Sequence, residues 1–100
     1  MFKLIYANEV YDDIQNAVDF YNSKGKELGT RFFKTVKIQL SKIKSNAYGF
    51  QIRYHDVRCI PINKFPYTIH YRVVTETNII MIVALFCDYQ NPEIWENRLK

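Results

Sequence analysis

One hundred residues set one domain over positions 1–100, with room for a single core. At 48% hydrophobic and 24% charged residues, with 3 Gly and 3 Pro, the composition excludes a disordered or collagen-like chain. The net charge of +4, from 14 Lys plus Arg against 10 Asp plus Glu, fits an acidic protein partner or a phosphate backbone and selects neither.

The opening MFKLIYANEVYDD lacks a basic stretch followed by a long apolar one, so a secretory leader is not expected. The apolar run at 79–86 is too short to cross a bilayer, and a cytoplasmic protein without a membrane partner is the expectation. Positions 2–7 predict a short strand. Asn8 then fits a helix N-cap, with Glu9, Asp12 and Asp13 placing negative charge on the first turn. Val10, Ile14, Ala17, Val18 and Tyr21 follow at helical spacing, and Gly25 is a stop. A second helix carries Leu28, Phe32, Val36, Leu40 and Ile43, with Phe33 widening the stripe and Gly29 weakening only the first turn. So short a link implies an antiparallel helical hairpin, and two half-apolar helices need a sheet to cover them.

The periodicity lapses over 45–56, where Asn46 and Gly49 suggest a loop. Positions 57–62, 66–74 and 78–87 then read as three strands with short links, an antiparallel meander. Pro61 cannot donate to a ladder, so the first of them is expected to be an edge strand or bulged there. The middle strand alternates Ile69, Tyr71 and Val73 with Thr68, His70 and Arg72, which predicts one face against the helices and one polar face. The last strand is apolar on both sides, so its second face needs a cover: the C-terminal segment with Trp95, or a partner chain. The fold class is therefore α+β: N-terminal strand, α-helical hairpin, three-stranded meander and short tail. Cys59 and Cys87 fall on strands separated by a third, roughly 10 Å apart and too far to bridge, which predicts free thiols.

No metal constellation, Gly-rich phosphate loop or Ser-His-Asp pattern is present, and no cofactor is expected. His70 is either a proton donor on a polar strand face or a structural histidine. Arg53, His55, Arg58, Lys64, Arg72 and Tyr89 gather around the sheet. Interleaved Arg and Tyr suit RNA, where guanidinium groups hold phosphates and rings stack on bases. They suit an acidic peptide equally well. Lys34, Lys37 and Lys44 form a basic stripe on helix two, which is either a solvated face or a binding face.

The ordered set Gly29-Thr30-Arg31-Phe32, then Arg58, then Phe65-Pro66-Tyr67-Thr68-Ile69-His70-Tyr71-Arg72-Val73, then Asn91-Pro92-Glu93-Ile94-Trp95 with Arg98 resembles the RelE/ParE superfamily of bacterial type II toxin–antitoxin toxins, the plasmid stabilisation proteins. The resemblance implies a growth-inhibiting toxin neutralised by a cognate antitoxin, whose acidic, partly disordered C-terminal segment wraps the toxin, with Lys34, Lys37 and Lys44 as candidate antitoxin contacts. It also implies one of two targets. RelE-like members cut messenger RNA on the ribosome from the concave sheet face; ParE-like members inhibit DNA gyrase.

On that resemblance Arg58 and Arg72 match basic positions of the family's second and third strands; with Tyr89 and His55 as acid or base they are the candidate catalytic residues, and Arg53, Lys64 and His70, from the basic and aromatic group around the sheet, are the candidate nucleic-acid or target contacts. Relatives often carry His and Arg where this chain has Cys87 and Gln90. A thiol carries no positive charge in either protonation state, and a glutamine cannot balance a phosphate. The departure weakens ribosome-dependent cleavage and tilts the expectation towards gyrase inhibition. A degenerate, non-toxic antitoxin-binding protein and a basic RNA-binding domain stand as the other readings.

Overall fold

The computed structural model describes residues 2–90 and 93–98. A short strand, β1 (Lys3–Tyr6), leads into α1 (Asn8–Lys24) and then α2 (Leu28–Ser45). Four strands follow: β2 (Ile52–Tyr54), β3 (Val57–Pro61), β4 (Tyr67–Val74) and β5 (Ile79–Cys87), with a helix α3 (Glu93–Arg98) near the C-terminus. The five strands form one mixed sheet in the order β1-β5-β4-β3-β2, where β1 runs parallel to β5 and the other pairs are antiparallel. Asn91 and Pro92 of the tail motif lie outside the described residues.

Each helix forms where its apolar positions recur, and both lay those stripes on one face of the sheet. Val10, Ala17 and Tyr21 of α1, and Phe32, Val36 and Ile43 of α2, are buried with Ile60, Ile69, Tyr71, Ile80, Ile82 and Leu85. Tyr21, Phe32, Phe65 and Tyr67 form a four-ring group, with Tyr21–Phe65 centroids 4.9 Å apart and Phe32–Tyr67 5.2 Å apart. The tight turn before β4 is thereby fastened to the hairpin. Tyr71 donates its hydroxyl to the Ala47 carbonyl at 2.7 Å, and burial pushes that phenol up to about 12, so it stays protonated as a donor.

Several expectations change. Asn8 is the first helical residue, and Ala7 holds the N-cap position with no side-chain cap. The Ala7 N–H is bonded to Ile82 O at 2.9 Å, so the chain is still paired with the sheet one residue before the helix begins. Gly29 does more than weaken a first turn. It is buried where the helices meet, and an added Cβ would stand 2.5 Å from Asn22 Oδ1 and closer still to the Val18 carbonyl. The supposed loop at 45–56 contains β2, so β3 is not an edge strand. The irregularity lies in β2, where Ile52 pairs with Arg58 and Tyr54 with Val57, leaving Arg53 as an extra, bulged residue. Pro61 sits at the far end of β3, opposite Thr68, and its carbonyl accepts from buried Gln39 Nε2 at 2.6 Å.

The apolar run of β5 is explained by a second bulge. His70 pairs with Ala84 and Tyr71 with Ile82, so Val83 has no opposite number. Ile80, Ile82 and Leu85 face the helices. Val83, Ala84 and Phe86 join Val57 in a smaller cluster, with Tyr54, Cys59, Met81 and Trp95 packed against it. The C-terminal helix therefore supplies the cover for the second face.

Candidate functional site

The second face of the sheet is not the polar surface that the alternation in β4 predicts. His70 is fully buried there, with ring centroids 4.8 Å from Trp95 and 5.0 Å from Phe86. Tyr54 Oη lies 2.9 Å and Cys59 Sγ 3.5 Å from His70 Nδ1. Burial first, and the nearby Arg53 charge second, lower the imidazole to about 4, so the ring is neutral at pH 7. The neutral ring carries one proton; the Tyr54 hydroxyl and the Cys59 thiol can each donate to Nδ1 when that nitrogen is the bare one, and the hydroxyl oxygen can accept when it is not. Nε2 is buried without a hydrogen-bond partner. Burial likewise pushes the Cys59 thiol up to about 11, against an opposing pull from Arg53. Together they make a neutral hydrogen-bonded set, the reverse of a thiolate–imidazolium pair.

Beside this set opens a cleft of about 340 Å³ lined by Arg53, Cys59, Thr68, His70, Asp88 and Trp95. Arg53 reaches it because the β2 bulge redirects its side chain. Thr68 donates its hydroxyl to Asp88 Oδ1 at 2.6 Å, and the Asp88 N–H is bonded to Pro66 O at 2.8 Å. The lining thus includes one cation, Arg53, and one anion, Asp88.

The other sequence-derived candidates do not converge on this cleft. Arg58 pairs across the sheet with Tyr71, which places it on the helix-covered face. Its guanidinium donates to Phe50 O at 2.7 Å and Tyr48 O at 3.3 Å and lies over the Tyr48 ring, so it fastens the segment between α2 and β2. Arg72 shares the face of His70 but grips Asp56 with two bonds of 2.9 and 3.0 Å in an exposed pair. His55 and Lys64 occupy turns with positive φ, at 47° and 70°. Tyr89 is 86% exposed on the turn after β5. Lys34, Lys37 and Lys44 are exposed on α2.

Gln90, in place of the expected cation, closes that turn: its Oε1 accepts the Cys87 N–H at 3.1 Å, and its own N–H is bonded to Cys87 O. Cys87 pairs with Tyr67 and lines a separate hollow beside Ala17 and Phe20 of α1, away from the His70 cleft.

Sequence reasoning missed Asp13. Beyond Ile82 the β5 edge is no longer paired by β1, and Asp13 Oδ2 accepts the Leu85 N–H at 3.1 Å there. The same oxygen takes Arg98 Nη2 at 2.6 Å, so one carboxylate ties α1, β5 and α3 together. The signal was an acidic residue inside the α1 pattern, which first-turn charge alone does not explain. Among the described residues no group of three or more His, Cys, Asp or Glu can hold a metal ion, and no helix is long and apolar enough to cross a membrane.

A mixed five-stranded sheet with an α-helical hairpin on one face and a C-terminal helix on the other defines an α+β class shared with known proteins. The fold is that of the RelE/ParE toxins. The chromosomal ParDE toxin–antitoxin system from P. aeruginosa matches with a TM-score of 0.76 at 19% identity, covering 87% of this chain and 96% of that one. The isolated E. coli RelE toxin matches at 0.65 and 12% identity, covering 99% and 96%. An E. coli RelE mutant in complex with an antitoxin RelB peptide matches at 0.67 and 14%, covering 99% and 95%. No family profile matches the chain, and no curated protein does.

Proposed function

We propose that this protein is the toxin of a type II toxin–antitoxin module, held inactive by a cognate antitoxin, and that it acts on DNA gyrase without cleaving RNA. Likeness of fold over nearly the whole chain to ParDE and RelE structures supports the toxin reading. The choice between targets rests on one observation. The cleft on the second sheet face offers a buried neutral imidazole and a protonated thiol, with Asp88 in its lining. RNA cleavage needs a base for the 2′-hydroxyl, a cation for the pentavalent phosphate and an acid for the leaving oxygen. Arg53 is the cation at hand in the cleft; Arg58 and Arg72 are committed to carbonyls and to Asp56.

Induced expression in a bacterial host tests the toxin reading, with growth arrest expected for the wild type. Purified protein is then added to a gyrase supercoiling reaction and to a ribosome-programmed mRNA cleavage reaction. Loss of supercoiling with intact message is the expected result. A harmless wild type would leave a non-toxic antitoxin-binding protein as the better reading, and cut message would replace gyrase by the ribosome.

A further inference from the structure

A sheet that ends in solvent presents unpaired main-chain groups along its outer strands, and this molecule treats its edges unequally. At one end β2 is three residues long and bulged at Arg53, which spoils it as a template for pairing. At the other end the stretch of β5 beyond Ile82 is guarded by Asp13, which takes the Leu85 N–H. The outer side of β1 has neither device. Its residues pair with positions 79–82 of β5 in unbroken parallel register, and no described strand lies beyond it.

The direction of the free groups follows from the bonds already made. The Lys3 N–H is bonded to Asn78 O at 3.0 Å and the Ala7 N–H to Ile82 O at 2.9 Å, so Lys3, Ile5 and Ala7 turn their main-chain groups towards β5. Leu4 and Tyr6 turn theirs outward. The side chains alternate as well. Phe2, Leu4 and Tyr6 pack against the core under the helices, whereas Ile5, half-buried on the opposite face, belongs to neither apolar cluster of the described residues.

We infer that β1 pairs antiparallel with β1 of a second copy of this chain, joining two sheets into one across a two-fold axis at Ile5. Leu4 and Tyr6 of each copy then exchange main-chain bonds with Tyr6 and Leu4 of the other, which satisfies the outward groups of both. Ile5 meets its counterpart as a non-hydrogen-bonded pair, the closer kind, with about 4.5 Å between Cα atoms. Lys3 stands opposite Ala7 and one diagonal step from Glu9, whose side chain is 60% exposed and reaches towards Arg98 on that same face. Centring the pair on Leu4 would instead set Lys3 diagonal to its own copy, a like-charge contact. The axis stands perpendicular to the sheet, so both helical layers fall on one side, where Tyr11, 61% exposed and 5.9 Å from Tyr6, flanks the joint. A strand from another protein would satisfy the same main-chain bonds, but a second copy also brings Ile5 to Ile5 and Glu9 to Lys3. The contact is short, so dissociation in the micromolar range is expected. The inference is independent of the toxin reading.

Sedimentation of the purified full chain should show a monomer–dimer equilibrium, dimeric at about 200 μM and mostly monomeric near about 1 μM. Ile5→Lys sets two like charges on the axis and should raise the dimer Kd about tenfold or more. Lys3→Glu should raise it about fivefold, and adding Glu9→Lys to Lys3→Glu should restore it. Lys3 is exposed, so this charge swap keeps the test decisive even where circular dichroism shows that Ile5→Lys fails to fold. Under oxidation Ile5→Cys should form a disulfide-linked dimer, whereas Lys3→Cys and the wild type should not, because the two Lys3 positions lie about 13 Å apart along the strands in this register. A wild type monomeric at every concentration, a dimer indifferent to both Ile5→Lys and Lys3→Glu, or equal linking by Lys3→Cys would overturn the inference. So would a chain that stays monomeric alone and takes up a strand of another protein at β1.

Discussion

Lowering the pH through the histidine range should destabilise this protein, and His70 should account for most of the loss. The fold holds the ring neutral in a site closed by Trp95, Phe86 and Tyr54, so folding lowers its pKa from 6.5 to about 4. A protonated ring is therefore welcome only in the unfolded chain. The stabilising contribution is complete above 6.5 and is lost as the pH falls from there towards 4. These values give a loss of about 2 kcal/mol between pH 7 and pH 5, with a slope of about 1.2 kcal/mol per pH unit near the lower end. Urea unfolding followed through Trp95 fluorescence measures it, since that indole packs directly on the imidazole. His70→Asn keeps an acceptor for Tyr54 without a titrating ring and should flatten the profile over the same range. A wild-type profile flat to within about 0.5 kcal/mol, or an unchanged slope in His70→Asn, would refute the reasoning. Direct observation of the His70 ring protons by NMR should give a midpoint well below that of an exposed histidine.

Three further outcomes follow from the packing. Gly29→Ala should destabilise by about 1–3 kcal/mol in urea unfolding, although Ala is the better helix former, because its methyl group meets Asn22 and the Val18 carbonyl. Asp13→Ala should cost about 3 kcal/mol and shift Trp95 emission to the red, since it strips the Leu85 N–H and Arg98 of their shared acceptor and loosens α3. In a Cys87→Ser background the remaining thiol, Cys59, should react with a disulfide reagent at pH 8 about a hundredfold more slowly than a free model thiol, because so little thiolate forms at a pKa of about 11.

The helices and the meander were legible because each depends on local spacing. Leu28, Phe32, Val36 and Ile43 recur at helical intervals, and links of a few residues force β3, β4 and β5 into neighbouring positions. The need for a cover over β5 was also legible, and Trp95 provides it. β2 was not, since three residues interrupted by a bulge leave no period to read. The burial of His70 was hidden for a related reason: a histidine between Ile69 and Tyr71 looks exposed until something else is known to cover that face. Arg58 carries a family motif position, but its partners are the carbonyls of Tyr48 and Phe50, and nothing in a side-chain pattern reports a bond to backbone. The Asp13–Arg98 pair spans nearly the whole chain and leaves no local trace. Many motif residues behind the resemblance, among them Phe32, Phe65, Tyr67 and Tyr71, are packing residues here. Their pattern spoke for the fold more clearly than for the chemistry.

Val83, the unmatched residue in β5, has a consequence for how the strand's end is numbered by eye. Counting alternately from Ile80 would send Ala84 and Phe86 towards the helices and Cys87 to the opposite side. The extra residue reverses that parity, so Leu85 joins the hairpin core and Phe86 lies against His70. Deleting Val83 would therefore leave Leu85 and Phe86 on their present faces: Ile82 and Ala84, already opposite Tyr71 and His70, would become consecutive residues of a regular ladder. A position-by-position comparison with any relative lacking such an insertion would be out of step by one from this point on.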